Sequence, residues 1–218
     1  MPKILLIIPT DGGMHEQLAV LAANFSQRTD VEFVTIKGSP VDAVRNNEAR
    51  LINANPDFTH LMTIDSDTVP PVDCVDRLLE LDSPIATGCT PLKDASGLRW
   101  ALSISAINGV PELMRTLPPE PFEVLATGAS CLLIRREVIE RLEFPWFKTI
   151  ENPDGSGQTE DFFFSQKCRE GGFKIRADPA VRCRHFKEVD LLELMNLLQL
   201  LSQQIKDLKN GKRKMDSC

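Results

Sequence analysis

The 218-residue sequence lacks the features that mark several common classes of protein. It has no apolar run near the roughly 18 residues that a membrane span requires, and its net charge of −6 disfavours a general nucleic-acid binder. No two of its six cysteines form a Cys-x-x-Cys pair, so they indicate reduced thiols rather than a disulfide or zinc framework. The cysteines stand at positions 74, 89, 131, 168, 183 and 218.

We also expect that the N-terminal segment is not a secretory leader. The apolar run from Ile4 to Ile8 is too short for a leader, and no small-residue cleavage site follows it. We interpret the run as a first buried strand. We therefore expect a cytoplasmic protein, with peripheral contact to a membrane as the alternative location.

What the sequence does contain is an ordinary globular composition, 42% hydrophobic and 26% charged, in a chain long enough for a substantial core. Its first part alternates strand and helix patterns: a strand ending at Pro9, a helix over about 15–27, a strand over 31–36 and a helix over about 41–53. With the strand that follows, this βαβαβ order predicts a mostly parallel sheet.

Two carboxylates end the third strand. The apolar run from Leu61 to Ile64 stops at Asp65-Ser66-Asp67, and two prolines follow shortly afterwards. Asp65 and Asp67 would share one face of a straight strand, and ligands usually bind at that end of an open α/β sheet. Hard oxygen ligands in this arrangement suit Mg²⁺ or Mn²⁺ shared with a phosphate, although a plain polar turn would have the same triplet.

The second half of the chain is less regular. The weakly patterned segment 90–122 is typical of an inserted, substrate-facing region rather than of core. A turn over 127–130 leads into a strand over 131–134. A helix over about 160–170 has the Thr159 hydroxyl as its candidate N-cap, starts with two acids and stops at a pair of glycines. A late strand carries His185 near its end.

In this order the motifs resemble those of a small glycosyltransferase of the GT-A fold, related to family 2 enzymes and their phage and prokaryotic relatives. The resemblance covers residues 3–186 and is carried by Asp65-Ser66-Asp67, Thr127-Gly128-Ala129-Ser130, Thr159-Glu160-Asp161 and Arg182-Cys183-Arg184-His185. It implies an α/β, Rossmann-like fold with a mostly parallel central sheet and helices on both faces, in a single domain followed by a C-terminal helix. It also implies a donor-binding half over 1–90 and an acceptor and catalytic half over 91–187.

The resemblance further implies a nucleotide-sugar donor, such as a UDP- or GDP-sugar, and a divalent cation, Mn²⁺ or Mg²⁺. Asp67 matches a direct metal ligand, Asp65 a ligand of the ribose or of the metal through water, and His185 a late ligand of the metal or the diphosphate. Asp161 matches the catalytic base of inverting members, with Glu160 beside it. Such a cation stabilises charge on the departing diphosphate, and a carboxylate can take the proton of the attacking hydroxyl.

Further contacts with the substrates are expected around these groups. A glycine-containing loop after the first strand lets a ligand approach the backbone, and aromatic faces suit the apolar faces of pyranoses. The loop over 152–157 is a candidate lid. The expected donor contacts are Pro9, Thr10, Asp11, Arg45, Asn46, Asp65 and Ser66, and the expected acceptor contacts are Gly128, Ala129, Trp100 and Trp146.

Each of these assignments has a plainer alternative. Glu160 and Asp161 would also serve as acids at a helix N-terminus, and His185 as a core histidine with its hydrogen bonds satisfied. Arg45 and Asn46 would fit a solvated helix face. Trp100, Trp146 and the neighbouring Phe147 would fit core packing.

Two other functions match part of the pattern. Asp65-Ser66-Asp67-Thr68 resembles the nucleophile motif of haloacid-dehalogenase-type phosphatases, in which the first Asp is phosphorylated. That family requires the motif on its first core strand, whereas two βα units precede it here. A non-catalytic sugar-binding module is the other alternative.

The last segment forms its own pattern. Residues 188–210 predict an amphipathic helix, and 211–218 form a short basic tail. Along the helix, leucine and isoleucine recur at the 3- and 4-residue spacing of a coiled-coil seam. The seam residues are Leu191, Leu194, Leu198, Leu201, Ile205 and Leu208. We expect self-association through this helix; packing on its own domain and contact with an anionic membrane, which would suit a lipid-linked acceptor, are the alternatives.

Overall fold

The computed structural model describes residues 1–94, 97–107, 110–153, 157–188 and 190–215. It divides the chain into a compact unit, Met1–Phe186, and a second unit, Lys187–Cys218. The helices of the described residues are α1 (Glu16–Phe25), α2 (Val41–Ala54), α3 (Cys74–Glu80), α4 (Arg136–Arg141), α5 (Glu160–Glu170) and α6 (Leu191–Met215). The strands are β1 (Ile4–Thr10), β2 (Val31–Lys37), β3 (His60–Ile64), β4 (Thr68–Val69), β5 (Ile85–Cys89), β6 (Pro91–Asp94), β7 (Gly97–Ile107), β8 (Val110–Met114), β9 (Phe122–Val124), β10 (Ala126–Thr127), β11 (Cys131–Arg135), β12 (Ile150–Glu151), β13 (Gly157–Gln158), β14 (Ile175–Arg182) and β15 (Arg184–His185).

A seven-stranded sheet in the order β2-β1-β3-β11-β5-β14-β9 forms the centre of the first unit. The pairs β1–β2, β1–β3 and β5–β14 are parallel. Strand β11 runs antiparallel between β3 and β5, pairing Leu132 with both Thr63 and Thr87. Because β11 runs the opposite way, its first residue lies beside the last residue of β3, and the turn over 127–130 reaches the carboxyl end of the sheet.

Alternation along the central strands divides the core into two layers. In β1, Leu5 and Ile7 belong to one buried cluster, while Ile4, Leu6 and Ile8 belong to the other. This is the period-two alternation of a strand that is buried on both faces. The first cluster includes residues of α2, α4 and α5, and the second includes residues of α1 and α3, so helices cover both faces.

The segment over 90–122 forms more regular structure than its sequence suggested. Strands β6, β7, β8 and β10 form a second, antiparallel sheet. Leu102 and Ser103 in β7 are fully buried, and Leu102 joins the core. The expectation that this segment lies outside the core is therefore corrected. Register shifts and several prolines weaken the strand pattern in its sequence, but cross-strand pairing and burial stabilise the strands in the structure.

The second unit is the helix α6. It continues through Gly211 to Met215, past the end at residue 210 that the sequence suggested. One glycine costs a helix only about 1 kcal/mol relative to alanine, and the lysines and arginine that follow are good helix formers. Within the part of the chain that the structure describes, no helix is long and apolar enough to cross a membrane.

Candidate active site

The turn after β3 carries the two carboxylates of the Asp-Ser-Asp motif. The Thr68 N–H donates to the Asp65 carbonyl at 2.9 Å, and the Asp65 N–H donates to the Ser130 carbonyl at 3.1 Å. The strand before this turn is buried, whereas the side chains of Asp65 and Asp67 are 33% and 35% exposed. The turn therefore presents both carboxylates at the carboxyl end of the sheet.

Arg45 of α2 lies beneath this turn with only 2% of its surface exposed. It donates hydrogen bonds to Asp65, to the Thr63 hydroxyl and, at 3.3 Å, to Glu48. Burial by itself would lower the pKa of Arg45, but the charges of Asp65 and Glu48 outweigh it and leave the pKa raised. Arg45 is thus a permanent buried cation that fixes one oxygen of Asp65.

Glu48 completes this buried network. Burial raises the pKa of Glu48 to about 7, against the opposing effect of Arg45.

The Arg45 Nε atom is the one buried side-chain nitrogen or oxygen among the described residues that lacks a hydrogen-bond partner. An ordered water or a ligand commonly satisfies such a group.

Asp67 meets His185 through the short pairing of β4 with β15, in which His185 lies opposite Thr68. His185 Nδ1 lies 2.7 Å from the Pro91 carbonyl and must donate to it, because a carbonyl only accepts. This leaves Nε2 facing Asp67 Oδ2 at 3.4 Å. A metal-binding histidine is commonly oriented in this way, with its second ring nitrogen donating to a carbonyl.

The fit of a divalent cation can be judged from these donors. Among the described residues, no group of three or more His, Cys, Asp or Glu side chains is arranged to hold a metal ion. Asp65 has one oxygen engaged by Arg45. Of the three expected ligands, Asp67 and His185 therefore form a pair, and Asp65 lies beside them. Such a pair fits Mg²⁺ or Mn²⁺ if the remaining ligands of the cation come from substrate phosphates and water.

Asp161 lies in the first turn of α5. Its Oδ1 accepts a hydrogen bond from the Phe162 N–H at 2.8 Å and another from the Thr159 hydroxyl. The Thr159 hydroxyl makes no capping bond to the helix backbone, so the cap that the sequence suggested is replaced by this contact with Asp161. Burial nevertheless raises the pKa of Asp161 above its ordinary value.

A buried serine fixes the position of this helix start. Ser165, one turn after Asp161, donates to the Asp161 carbonyl at 2.9 Å and accepts from the Thr127 N–H at 3.2 Å. Gly128, which follows Thr127 in the chain, lies close to Asp161. A Cβ atom added at Gly128 would be 3.6 Å from Asp161 Oδ2. The Gly128 turn and the Asp161 carboxylate therefore line the same space.

Electrostatic coupling joins the two groups of acids. Burial raises the pKa of Glu160, and the charges of Asp161 and Asp65 raise it further. Arg45 acts in the opposite direction on both Glu160 and Asp161. The turn over 127–130 contacts both groups, since Ser130 accepts from the Asp65 N–H and Gly128 lies beside Asp161, so we treat the β3 turn, Arg45 and the start of α5 as one candidate site.

Asn46 has a different role from the donor contact expected of it. Its amide nitrogen donates to the Asp42 and Phe147 carbonyls, both at 2.7 Å. Its oxygen accepts from the N–H groups of Trp146 at 3.1 Å and Phe147 at 3.2 Å. All four of its hydrogen bonds are used within the protein, so Asn46 fastens the 146–147 segment to α2.

The aromatic residues expected to stack on a sugar are mostly core residues. Trp146 is buried and donates its indole N–H to the carbonyls of Ile139 and Leu142. Phe147 stacks on Phe164 with ring centroids 4.3 Å apart. Ala129 is also buried, whereas Trp100 is partly buried against the same core. The expected acceptor contact of Trp146 is thus corrected, because its ring has little surface left to offer.

The loop after β1 reaches the site through its backbone. The His15 N–H donates to the Ser66 carbonyl at 2.8 Å, and the His15 ring stacks on Phe186 at 3.6 Å. Thr10, the last residue of β1, accepts from the Gly12 N–H, and Asp11 in the loop is exposed. No sequence signal singled out His15, since its role depends on a distant partner. In the candidate lid, residues 154–156 lie outside the described residues.

No protein-family model and no curated protein matches the sequence. Solved structures do match the fold. The crystal structure of A197 from STIV has a TM-score of 0.61 and 19% identity, over 85% of this chain and 86% of A197. The crystal structure of GalNAc-T7 with UDP, GalNAc and Mn²⁺ has a TM-score of 0.55 and 13% identity, over 87% of this chain.

These comparisons establish the fold. The chain spans 45% of the length of the GalNAc-T7 chain. Identities this low show a shared architecture alone. Together with the observed sheet, they confirm the expected α/β, Rossmann-like fold of the GT-A type.

Proposed function

We propose that this protein is a metal-dependent glycosyltransferase that moves a sugar from a nucleotide-sugar donor, a UDP- or GDP-sugar, to an acceptor hydroxyl. The observation that carries the proposal is a chain of contacts among the acids: His185 lies 3.4 Å from Asp67, and the turn over 127–130 bonds to Asp65 through Ser130 and lies beside Asp161 at Gly128. GalNAc-T7, whose fold is similar, was crystallised with UDP, GalNAc and Mn²⁺. That supports a nucleotide-sugar and a divalent ion as the ligands here.

On the donor side, Asp67 and His185 would hold the cation, with Asp65 beside them. The cation would supply Lewis-acid stabilisation to the departing diphosphate. Arg45 fixes one oxygen of Asp65 and leaves the other to accept a hydrogen bond from the donor, for example from a ribose hydroxyl. Backbone groups of Thr10, at the end of β1, and of Ser66, between the two aspartates, are our candidates for further donor contacts.

On the acceptor side, Asp161 would act as the base, with Glu160 beside it. The acceptor oxygen forms a bond to the anomeric carbon, the bond from that carbon to the diphosphate oxygen breaks, and the acceptor proton passes to Asp161. Its raised pKa suits this role, because a carboxylate of higher pKa is a better proton acceptor. Gly128 leaves room beside Asp161 Oδ2 that a larger residue would restrict.

The assignment of Asp161 as base requires inversion at the anomeric carbon. NMR of freshly formed product therefore tests it separately from the activity itself. A product with the anomeric configuration opposite to that of the donor is expected. Retention of the donor's configuration would remove Asp161 from the role of base and leave the transferase proposal standing.

The structure offers less support for the two alternative functions, a phosphatase and a non-catalytic sugar-binding module. A haloacid-dehalogenase-type phosphatase requires the aspartates on its first core strand, whereas here they follow β3, after two βα units. A non-catalytic sugar-binding module gives no reason to keep a buried arginine against Asp65 or a half-buried carboxylate at Asp161.

A thermal-shift panel of UDP- and GDP-sugars, each with Mn²⁺ or with chelator, tests the proposal. A ligand that binds only the folded state raises the apparent Tm. We expect at least one donor to raise it with Mn²⁺ and to lose that effect with chelator or in Asp67→Ala. Asp57→Ala, an exposed aspartate outside the site, is the matched control. No shift with any donor would contradict a nucleotide-sugar site.

A further inference from the structure

The helix α6 carries an apolar seam that its own unit does not cover. Along the described side chains, exposure of the seam lies between 41% and 75%. These residues are Leu191, Leu194, Leu198, Leu201 and Ile205. Their alternating spacing of 3 and 4 continues to Leu208, so the seam spans about two and a half heptads.

Charge is distributed very unevenly along this helix. Three acids lie just before the helix or in its first turn, Glu188, Asp190 and Glu193, with Lys187 preceding them. From residue 194 to 205 there is no charge at all. Its end carries five basic residues and only one acid, Asp207. The basic residues are Lys206, Lys209, Lys212, Arg213 and Lys214.

The seam is also symmetric about its midpoint. Reflecting the helix about the point between Gln199 and Leu200 exchanges Leu191 with Leu208, Leu194 with Ile205, and Leu198 with Leu201. An antiparallel copy of the helix would therefore place every seam residue level with another seam residue. This matches the a-to-d layers of an antiparallel coiled coil.

From these observations we infer that α6 is a self-association element that pairs antiparallel with α6 of a second copy of this chain. Antiparallel pairing sets the acidic start of each helix beside the basic end of the other. Parallel pairing would set the five basic residues of one helix beside the same five residues of the other, and these like charges would repel. A two-fold arrangement of this kind is closed, because the same surface is used by both copies.

The alternative occupant, an anionic membrane, fits the pattern less well. A helix that lies on such a surface carries lysine and arginine along its polar face. Here the polar positions across the apolar stretch are Asn196, Gln199, Ser202, Gln203 and Gln204, which have no charge. The basic residues lie beyond the stretch rather than along it.

Molecular mass in solution tests the pairing with the full chain. Light scattering is expected to give a dimer for the native sequence and a monomer for the double variant Leu198→Asp, Leu201→Asp. The matched control is the double variant Leu192→Asp, Leu200→Asp, which introduces the same two charges at leucines outside the seam, 61% and 62% exposed, and should remain dimeric. A monomeric native chain, a control that dissociates as readily as the seam variant, or a monomer that binds phosphatidylserine vesicles would each overturn the inference.

Disulfide trapping tests the direction of pairing. In a Cys218→Ser background, one chain carries Leu194→Cys and a size-tagged chain carries Ile205→Cys; the other cysteines are buried. Antiparallel pairing brings 194 level with 205 of the partner, so the mixture should form mixed disulfides. Each variant alone should not, because its two cysteines would lie about 16 Å apart along the axis. Rapid crosslinking of either variant alone would overturn the antiparallel arrangement.

Discussion

Replacing Arg45 tests whether the site is built over a buried ion network. Arg45 and Glu48 are both nearly fully buried and lie 3.3 Å apart. Arg45→Met keeps an unbranched, apolar side chain but removes the guanidinium group, which leaves Glu48 without its cation. Removing one partner of a buried pair costs about 3–5 kcal/mol. We expect a loss of that size in the free energy of unfolding at about pH 8, measured by urea titration followed through tryptophan fluorescence.

The stability of the native chain should itself depend on pH through Glu48, whose pKa is raised from 4.5 to about 7 by burial. The protonated carboxyl therefore stabilises the fold at low pH, and that contribution, worth up to about 3 kcal/mol, is lost as the pH rises from 4.5 through about 7. Glu48→Gln mimics the protonated form. Relative to the native chain, this variant should gain stability as the pH rises.

A double-mutant cycle joins the two effects. With Glu48→Gln in place, Arg45→Met no longer leaves a buried carboxylate without its cation. The loss in free energy of unfolding caused by Arg45→Met at about pH 8 should therefore be smaller by about 1–3 kcal/mol. Arg50→Met on the exposed side of the same helix is the matched control and should change stability by no more than about 0.5 kcal/mol. An Arg45→Met cost that is unchanged by Glu48→Gln would refute the account of this network.

Three further predictions concern the proposed chemistry. Because burial raises the pKa of Asp161 above 3.8, turnover should increase with pH through an apparent pKa above that value, and Asp161→Asn should abolish this limb of the pH profile while donor affinity changes little. Ser165→Ala should lower kcat about 10- to 100-fold with a much smaller change in KM, because it releases the start of α5 from Thr127. Ser165→Thr should recover part of the lost kcat. An equal change in kcat and KM would indicate a general structural role for Ser165. His185→Ala should raise the Mn²⁺ concentration needed for donor-dependent stabilisation, whereas His60→Ala, which changes a histidine at the start of β3, should leave it unchanged.

The order of elements in the first unit could be predicted because local signals and tertiary packing agree there. Apolar runs bounded by proline and glycine mark β1 and β3, and the helices between them have clear apolar spacing. The position of Asp65 at a strand end follows from the same signal. The second sheet was harder to predict, because β6, β7 and β8 owe their order to cross-strand partners rather than to their own pattern.

The details of the site depend on contacts between residues far apart in sequence. Asn46 bonds to residues about 100 positions away, so its commitment to Trp146 and Phe147 leaves no mark in the sequence around it. The same holds for His185, whose orientation depends on the Pro91 carbonyl. Glu48 lies one helical turn from Arg45, and that spacing is the signal that could have identified the buried pair.

Release of nucleotide from the donor, with and without Mn²⁺, tests the central proposal most directly. The native chain should turn over its donor, by transfer or by slow hydrolysis, only when the metal is present. Asp67→Ala should abolish that turnover while its circular dichroism and unfolding midpoint stay close to those of the native chain. Full turnover by Asp67→Ala in excess chelator would contradict a metal-dependent glycosyltransferase.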